Sequence, residues 1–232
     1  MLIKKLLKQT VISYIHHTEY LKILWLLIFC LLRCNFVSAV ENQAFNTQKI
    51  TTPLLEPSDA LKGVSVPNGF TVKLSAAEPD VRQPIAMAWD SRGRMWVAEC
   101  YTYAESRVNF NLDLKDRILI FEDTNNDGVF DSRKIFWDQA SQLTSIVPGF
   151  GGVWAACAPY ILFIPDRNGD DVPDSEPEVV LDGFDNESVR HNIVNGLKWG
   201  PDGWLYGRHG ILASSEAGVP GTPREKRKRI NC

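Results

Sequence analysis

Residues 197–206 read Leu-Lys-Trp-Gly-Pro-Asp-Gly-Trp-Leu-Tyr, and residues 87–96 read Met-Ala-Trp-Asp-Ser-Arg-Gly-Arg-Met-Trp. At a constant offset of 110 residues, Trp199 answers Trp89 and Gly203 answers Gly93. Each stretch is two short apolar runs around a tight turn. Pro201 presets φ and Gly203 permits a positive φ, so the chain reverses between Leu197–Trp199 and Trp204–Tyr206. A shorter copy, Phe150-Gly151-Gly152-Val153-Trp154, lies between the two, with Trp154 answering Trp96; successive copies are 58 and 52 residues apart.

A second motif repeats out of phase with the first. Ile118-Leu119 followed by Asp123-x-Asn125-x-Asp127-Gly128-Val129-x-Asp131-Ser132 matches Ile161-Leu162 followed by Asp166-x-Asn168-x-Asp170-Asp171-Val172-x-Asp174-Ser175, every pair 43 residues apart. Apolar strands enter both loops, so each loop is expected at a hairpin tip. Self-similar units of this length, built of short strands, predict an all-β chain of β-propeller blades, about three of them. Trp89, Trp96, Trp154, Trp199 and Trp204 are expected in the blade cores. Strand-like alternation begins at Phe70-Thr71-Val72-Lys73-Leu74. A propeller typically has four to eight blades, and the pattern stops at Asn231-Cys232 with no closing strand, so a fragment is expected.

The acidic loops place several hard oxygens on one tight turn, which suits Ca²⁺ better than a transition metal. The candidate ligands are Asp123, Asn125, Asp127 and Asp131 in the first loop, and Asp166, Asn168, Asp170 and Asp174 in the second. Lys134 stands where an EF-hand needs its last acidic ligand. The competing reading is a pair of Asx turns without metal, since surface turns select the same residues. In the second loop Asp171 replaces the glycine and Pro173 stiffens the turn. On either reading the role is structural.

Composition narrows the function. The 232 residues are 44% hydrophobic and carry a net charge of −3, ordinary for a globular protein. The N-terminus differs: Lys4, Lys5 and Lys8 precede the apolar run Ile23–Leu32, and Val37-Ser38-Ala39 offers a cleavage site. This is the layout of a secretory signal over residues 1–39, and the run is short for a membrane span. Residues 40–60 read as a lead-in and residues 61–232 as the partial propeller. The chain is expected to be exported to the periplasm or cell envelope, meeting the membrane only through the signal or an uncleaved anchor. Without residues 1–39, which hold five of the 25 basic and one of the 28 acidic groups, 20 basic face 27 acidic. Nucleic acid is therefore not an expected partner. Cys100, Cys157 and Cys232 lie beyond the signal, at spacings that fit no zinc site, and the spacing does not choose a disulfide pair. No Cys-x-x-Cys-His occurs, so this chain holds no covalent haem.

No nucleophile elbow, phosphate loop or dinucleotide fingerprint is present. His191 precedes the last strand pair in a polar segment, where a neutral imidazole can serve as a general base; a loop-ordering hydrogen bond with Asn195 is the plainer role. Arg190 and Arg208 flank the hairpin and are suited to carboxylates.

Three ordered segments, RQPIAMAWDSRGRMWVAECYTYAE, RILIFEDTNNDGVFDSRKIF and NIVNGLKWGPDGWLYGRHGI, resemble the membrane-bound dehydrogenases common in planctomycete-type bacteria. Those are related to the soluble quinoprotein glucose and sorbosone dehydrogenases. The resemblance implies a six-bladed propeller, a pyrroloquinoline quinone cofactor, oxidation of a sugar or alcohol, and an electron acceptor such as a cytochrome c. It implies His191 as the base that takes the substrate hydroxyl proton, with Arg190, Arg208 and Asn195 at the cofactor and Ca²⁺ as a Lewis acid. His191 stands nine residues before Gly200, one more than the quinoprotein pattern. The segment alone is expected to be inactive. The rival readings are a calcium-stabilised propeller for binding or scaffolding, and a calcium-dependent propeller hydrolase.

Overall fold

The structure, a computed structural model, describes residues 55–103, 110–189 and 191–231. The leader, Arg190 and Cys232 lie outside them. A short helix α1 (Pro57–Lys62), with proline in its first turn, is followed by twelve strands. The all-β expectation holds.

Strands β1 (Pro84–Trp89), β2 (Met95–Glu99), β3 (Asp116–Glu122) and β4 (Ser132–Ala140) form one antiparallel meander in the order β1-β2-β3-β4. Strands β5 (Leu143–Pro148), β6 (Gly152–Cys157), β7 (Tyr160–Pro165) and β8 (Glu178–Leu181) form a second of the same design. Then β9 (Asn195–Trp199) pairs with β10 (Leu205–Arg208), and β11 (Ser214–Ala217) pairs with β12 (Lys228–Asn231). The third expected unit is thus a two-stranded hairpin, with β11 and β12 as a separate ribbon. That ribbon continues the edge of the second sheet, where Gly218 N donates to Asp182 O at 3.1 Å and Glu216 N to Gly183 O at 3.1 Å.

The 110-residue repeat survives at atomic level. Asp90 N donates to Arg94 O and Gly93 N to Asp90 O, while Gly200 N donates to Trp204 O and Gly203 N to Gly200 O. Gly93 and Gly203 have φ of 77° and 80°, the left-handed conformation that selects glycine.

Alternation along each strand assigns its two faces. Trp96, Ala98, Ile118 and Ile120 on one face of the first sheet meet Leu143, Ile146, Val153 and Ala155 of the second. Ala156 and Ile161 on the other face of the second sheet meet Leu197 of the third hairpin. The first strands β1, β5 and β9 stand side by side. Thr144 Oγ1 reaches Val194 O at 2.5 Å and Trp199 Nε1 reaches Pro148 O at 3.1 Å, so β5 and β9 run the same way. This is how successive propeller blades stack.

Two expectations need correction. Residues 70–74 pair with no strand among the described residues; Lys73 instead donates to Asp127 O and Ser75 to Gly128 O on the first acidic loop. The tryptophans do not share one fate. Trp96 is 3% exposed, and Trp154 and Trp199 are half-buried, but Trp89 is 58% and Trp204 72% exposed. Trp89 points from the face of β1 that no sheet of the described residues covers, and Trp204 sits in the turn. Periodicity tells that a face is apolar but not whether a neighbour covers it.

Candidate functional site

Every sheet has two chemically different ends, because the strands alternate in direction. One end carries the turns and the acidic loops. The other carries the exits of β2, β6 and β10 and the entries of β3, β5 and β9.

At the first end the acidic loops fold onto their own backbone. Asp123 Oδ1 accepts from Asp127 N at 3.1 Å and Oδ2 from Gly128 N at 2.7 Å; Asn125 Oδ1 accepts from Asp127 N, and Asp131 Oδ1 and Oδ2 accept from Thr124 N and Oγ1. The second loop repeats this: Asp166 Oδ1 accepts from Asp170 N, Asn168 Oδ1 from Asp170 N, Asp170 Oδ1 from Val172 N and Asp174 Oδ2 from Arg167 N. Among the described residues no group of three or more His, Cys, Asp or Glu side chains converges as a ligand set. The oxygens have the chemistry for Ca²⁺ and accept from backbone N–H groups of their own loops.

Asp171, which stands where the first loop has Gly128, leaves its loop for the first sheet. It accepts from Arg94 Nη1 and Lys134 Nζ, both at 2.9 Å, and from Arg92 Nη2 at 3.1 Å. Arg94 Nε also donates to Asp90 at 2.9 Å, beneath the Trp96 indole, whose Nε1 donates to the same carboxylate. Burial pushes the Asp171 and Asp90 carboxyls up. Lys134 and Arg94 outweigh it at Asp171, and Trp96 and Arg94 at Asp90, so both lie below the ordinary carboxylate range.

The second end is built of buried polar networks. Asp116, with no exposed surface, accepts from Thr102 N at 2.7 Å, Thr102 Oγ1 at 2.8 Å and Leu143 N at 2.8 Å, so one carboxylate fastens the β2–β3 connection and the entry of β5. Burial raises its pKa against those hydrogen bonds. Gln142 N donates to Thr102 Oγ1 at 3.1 Å, and Asn186 Nδ2 donates to Gln142 Oε1 at 2.7 Å. Gln83 and Gln142, each just before a first strand, have φ of 45° and 52°. Left-handed backbone in a non-glycine residue costs about 1 kcal/mol. Glu99, also fully buried, accepts from Arg82 N at 2.6 Å, Arg117 Nε at 2.8 Å and Tyr101 Oη at 3.0 Å. The thiols of Cys100 and Cys157 are buried and free. Burial, with Asp116 nearby, raises Cys100 to about 11, so it is no nucleophile at neutral pH.

The proposed chemical residues fall at this same end. His191 is exposed just ahead of β9. Asn195 opens β9, with Nδ2 donating to Ile193 O at 2.9 Å. Arg208 closes β10 directly opposite Asn195 and is exposed, its side chain crossing Gly196. The structure therefore joins Asn195 and Arg208; Arg190 lies outside the described residues. His209 Nε2 meets the buried Ser215 Oγ at 2.7 Å, and Ser215 Oγ also accepts from Asp185 N at 2.8 Å. Sequence reasoning missed Glu99, Thr102, Asp116, Gln142 and Asp185. Glu99 and Asp116 stand at strand ends and Thr102, Gln142 and Asp185 in connections, and the only local signal was a polar residue beside an apolar strand.

Residues 56–230, from α1 to the last strand, match the family described as a domain of unknown function, DUF7133. The chain belongs to that family. No curated protein matches it. The DUF7133 match takes in both complete sheets, the β9–β10 hairpin and both ends, so the acidic loops and the polar networks are parts of one family domain.

Proposed function

We propose that this DUF7133 chain contributes the substrate end of an exported quinoprotein-like dehydrogenase that oxidises a sugar or an alcohol. The observation that carries the reading is the gathering of His191, Asn195 and Arg208 at the entry of β9 and exit of β10, away from the acidic tips. Arg208, cationic and exposed beside the Asn195 amide, has the donors for a carboxylate of pyrroloquinoline quinone. When bound, the quinone supplies the hydride acceptor. His191 is accessible and takes the substrate hydroxyl proton at an imidazole nitrogen. Asp116 and Glu99 hold the surrounding connections so that these side chains start from a fixed frame.

The second reading, a non-catalytic binding or scaffolding module, is favoured by one observation: the buried polar groups at this end are engaged with one another. The test is dye reduction by the purified full-length protein with pyrroloquinoline quinone, Ca²⁺ and a panel of sugars and alcohols. Activity that His191→Ala abolishes is the expected result. No reduction with any substrate would remove the enzyme reading in favour of the module.

A further inference from the structure

Each acidic loop takes a lysine from the element that precedes its own sheet. Lys73 donates to Asp127 O in the first loop, and Lys134, on β4, donates to Asp170 O at 3.3 Å in the second. Asp127 and Asp170 are counterparts at the 43-residue offset, so the two ammonium groups meet the same carbonyl of the same turn. The next position is engaged as well. Ser75 Oγ reaches Gly128 O at 3.4 Å and the Lys73 side chain lies over Gly128. Lys134 pairs with Asp171, the counterpart of Gly128, at 2.9 Å.

The packing beside these lysines repeats too. The cross-strand pairs Met95–Phe121 and Val97–Leu119 of the first sheet correspond, at offsets of 58 and 43 residues, to Val153–Ile164 and Ala155–Leu162 of the second. In the second sheet this face meets the first sheet, with Phe136 and Ala140 of β4 in the contact. In the first sheet the same face receives Ala76 and Val81. Phe136 stands two residues after Lys134, and Ala76 three after Lys73. Residues 73–81 therefore hold the first sheet at the loop and at the face where β4 holds the second.

We infer that each acidic loop is a receptor for the lysine of the preceding element, and that residues 73–81 are a strap that takes the role of β4 against the first sheet. A turn rich in carboxylates favours a cation, and lysine brings a compact charge with three donors on a flexible stem. The loops differ in one respect: Asp171 gives Lys134 a carboxylate, and Gly128 gives Lys73 none. Aspartate tolerates the backbone needed, since Asp171 has φ of 65° where Gly128 has 86°. A Cβ at Gly128 would meet the Lys73 side chain at 3.0 Å, so a carboxylate there would lie beside the ammonium. This role is independent of the proposed oxidation.

The test is a double-mutant cycle on the purified protein in the presence of a chelator, read by urea unfolding. Gly128→Asp is made alone and together with Lys73→Met. The new carboxylate should be favoured about threefold in the folding equilibrium constant when Lys73 is present, the scale of an exposed ion pair. Both positions are exposed, so each variant should fold. Hydrogen exchange supplies a second readout. Lys73→Met should speed exchange at Asp127 and Gly128 and leave Asp170 unchanged, and Lys134→Met should do the reverse. A cycle without coupling, or exchange that changes at both loops together or at neither, would overturn the inference.

Discussion

Asp171, in the loop after β7, and Arg94, at the head of β2, lie 2.8 Å apart across the boundary between the two complete sheets, and Arg94 is almost wholly buried. A buried pair adds little over an apolar replacement of both partners, but removing one partner strands a charge at a cost of about 3–5 kcal/mol. Arg94→Ala should therefore destabilise the protein by about 3 kcal/mol, measured by urea unfolding. Adding Asp171→Ala to Arg94→Ala should cost less than the sum of the single changes. Additive effects would show that the two side chains act separately.

The same pair sets an acid limit. The carboxyls of Asp90 and Asp171 lie below their ordinary value in the folded chain. Stability from a depressed carboxylate is fully present above the unfolded pKa, near 3.8–3.9, and is lost as pH falls through the folded value. Wild-type stability should decline below about pH 4, and the decline should be shallower in Asp171→Asn. Equal slopes in the two proteins would remove this assignment.

At the opposite end Asp116 takes three hydrogen bonds with no access to water. Its raised pKa gives the opposite sign: the buried charge becomes less costly as pH falls through the folded value. Asp116→Ala should leave buried donors without acceptors, at about 3 kcal/mol in total. Hydrogen exchange should then accelerate at Thr102 and Leu143 before it does in the strand centres.

Gly210 sits where a Cβ would overlap the carbonyl of Asn192, so the exit of β10 and the segment carrying His191 pass in backbone contact. Gly210→Ala should displace one of the two. The expected outcome is changed NMR shifts at Asn192, Asn195 and Arg208, with the Asp90–Arg94 turn unchanged. Shifts that spread evenly over both ends would indicate global destabilisation instead.

The acidic loops should behave as hydrogen-bonded turns. Asp123→Ala removes the acceptor of two backbone N–H groups and should cost about 1–2 kcal/mol. The thermal midpoint of the wild type should be the same with Ca²⁺ as with a chelator. A calcium-dependent rise that Asp123→Ala abolishes would establish a metal site there.

The repeat of Met87–Trp96 in Leu197–Tyr206 was enough to place two hairpins, their turns and their left-handed glycines, because turn chemistry is local. The 43-residue repeat likewise placed both acidic loops at hairpin tips, since an Asx turn is closed by residues only two to five positions apart. The unbroken apolar runs Ile118 to Phe121 and Ile161 to Ile164 marked the strands that enter those loops, and both faces of each are buried. These features depend on φ, ψ and side-chain direction within a few residues, which the sequence by itself determines. What lay beyond it was every contact with a distant partner. Asp171 looked like a poor glycine in a loop and is the anchor of Arg94, 77 positions away. Asp116, at the edge of an apolar strand, fastens Leu143 of the next sheet. Trp89 and Trp199 share one sequence context, yet Trp199 packs on Trp154 of the second sheet while Trp89 stays largely exposed beside Phe130. Burial and ion pairing are properties of the neighbour as much as of the residue, and only the tertiary structure says which neighbour that is.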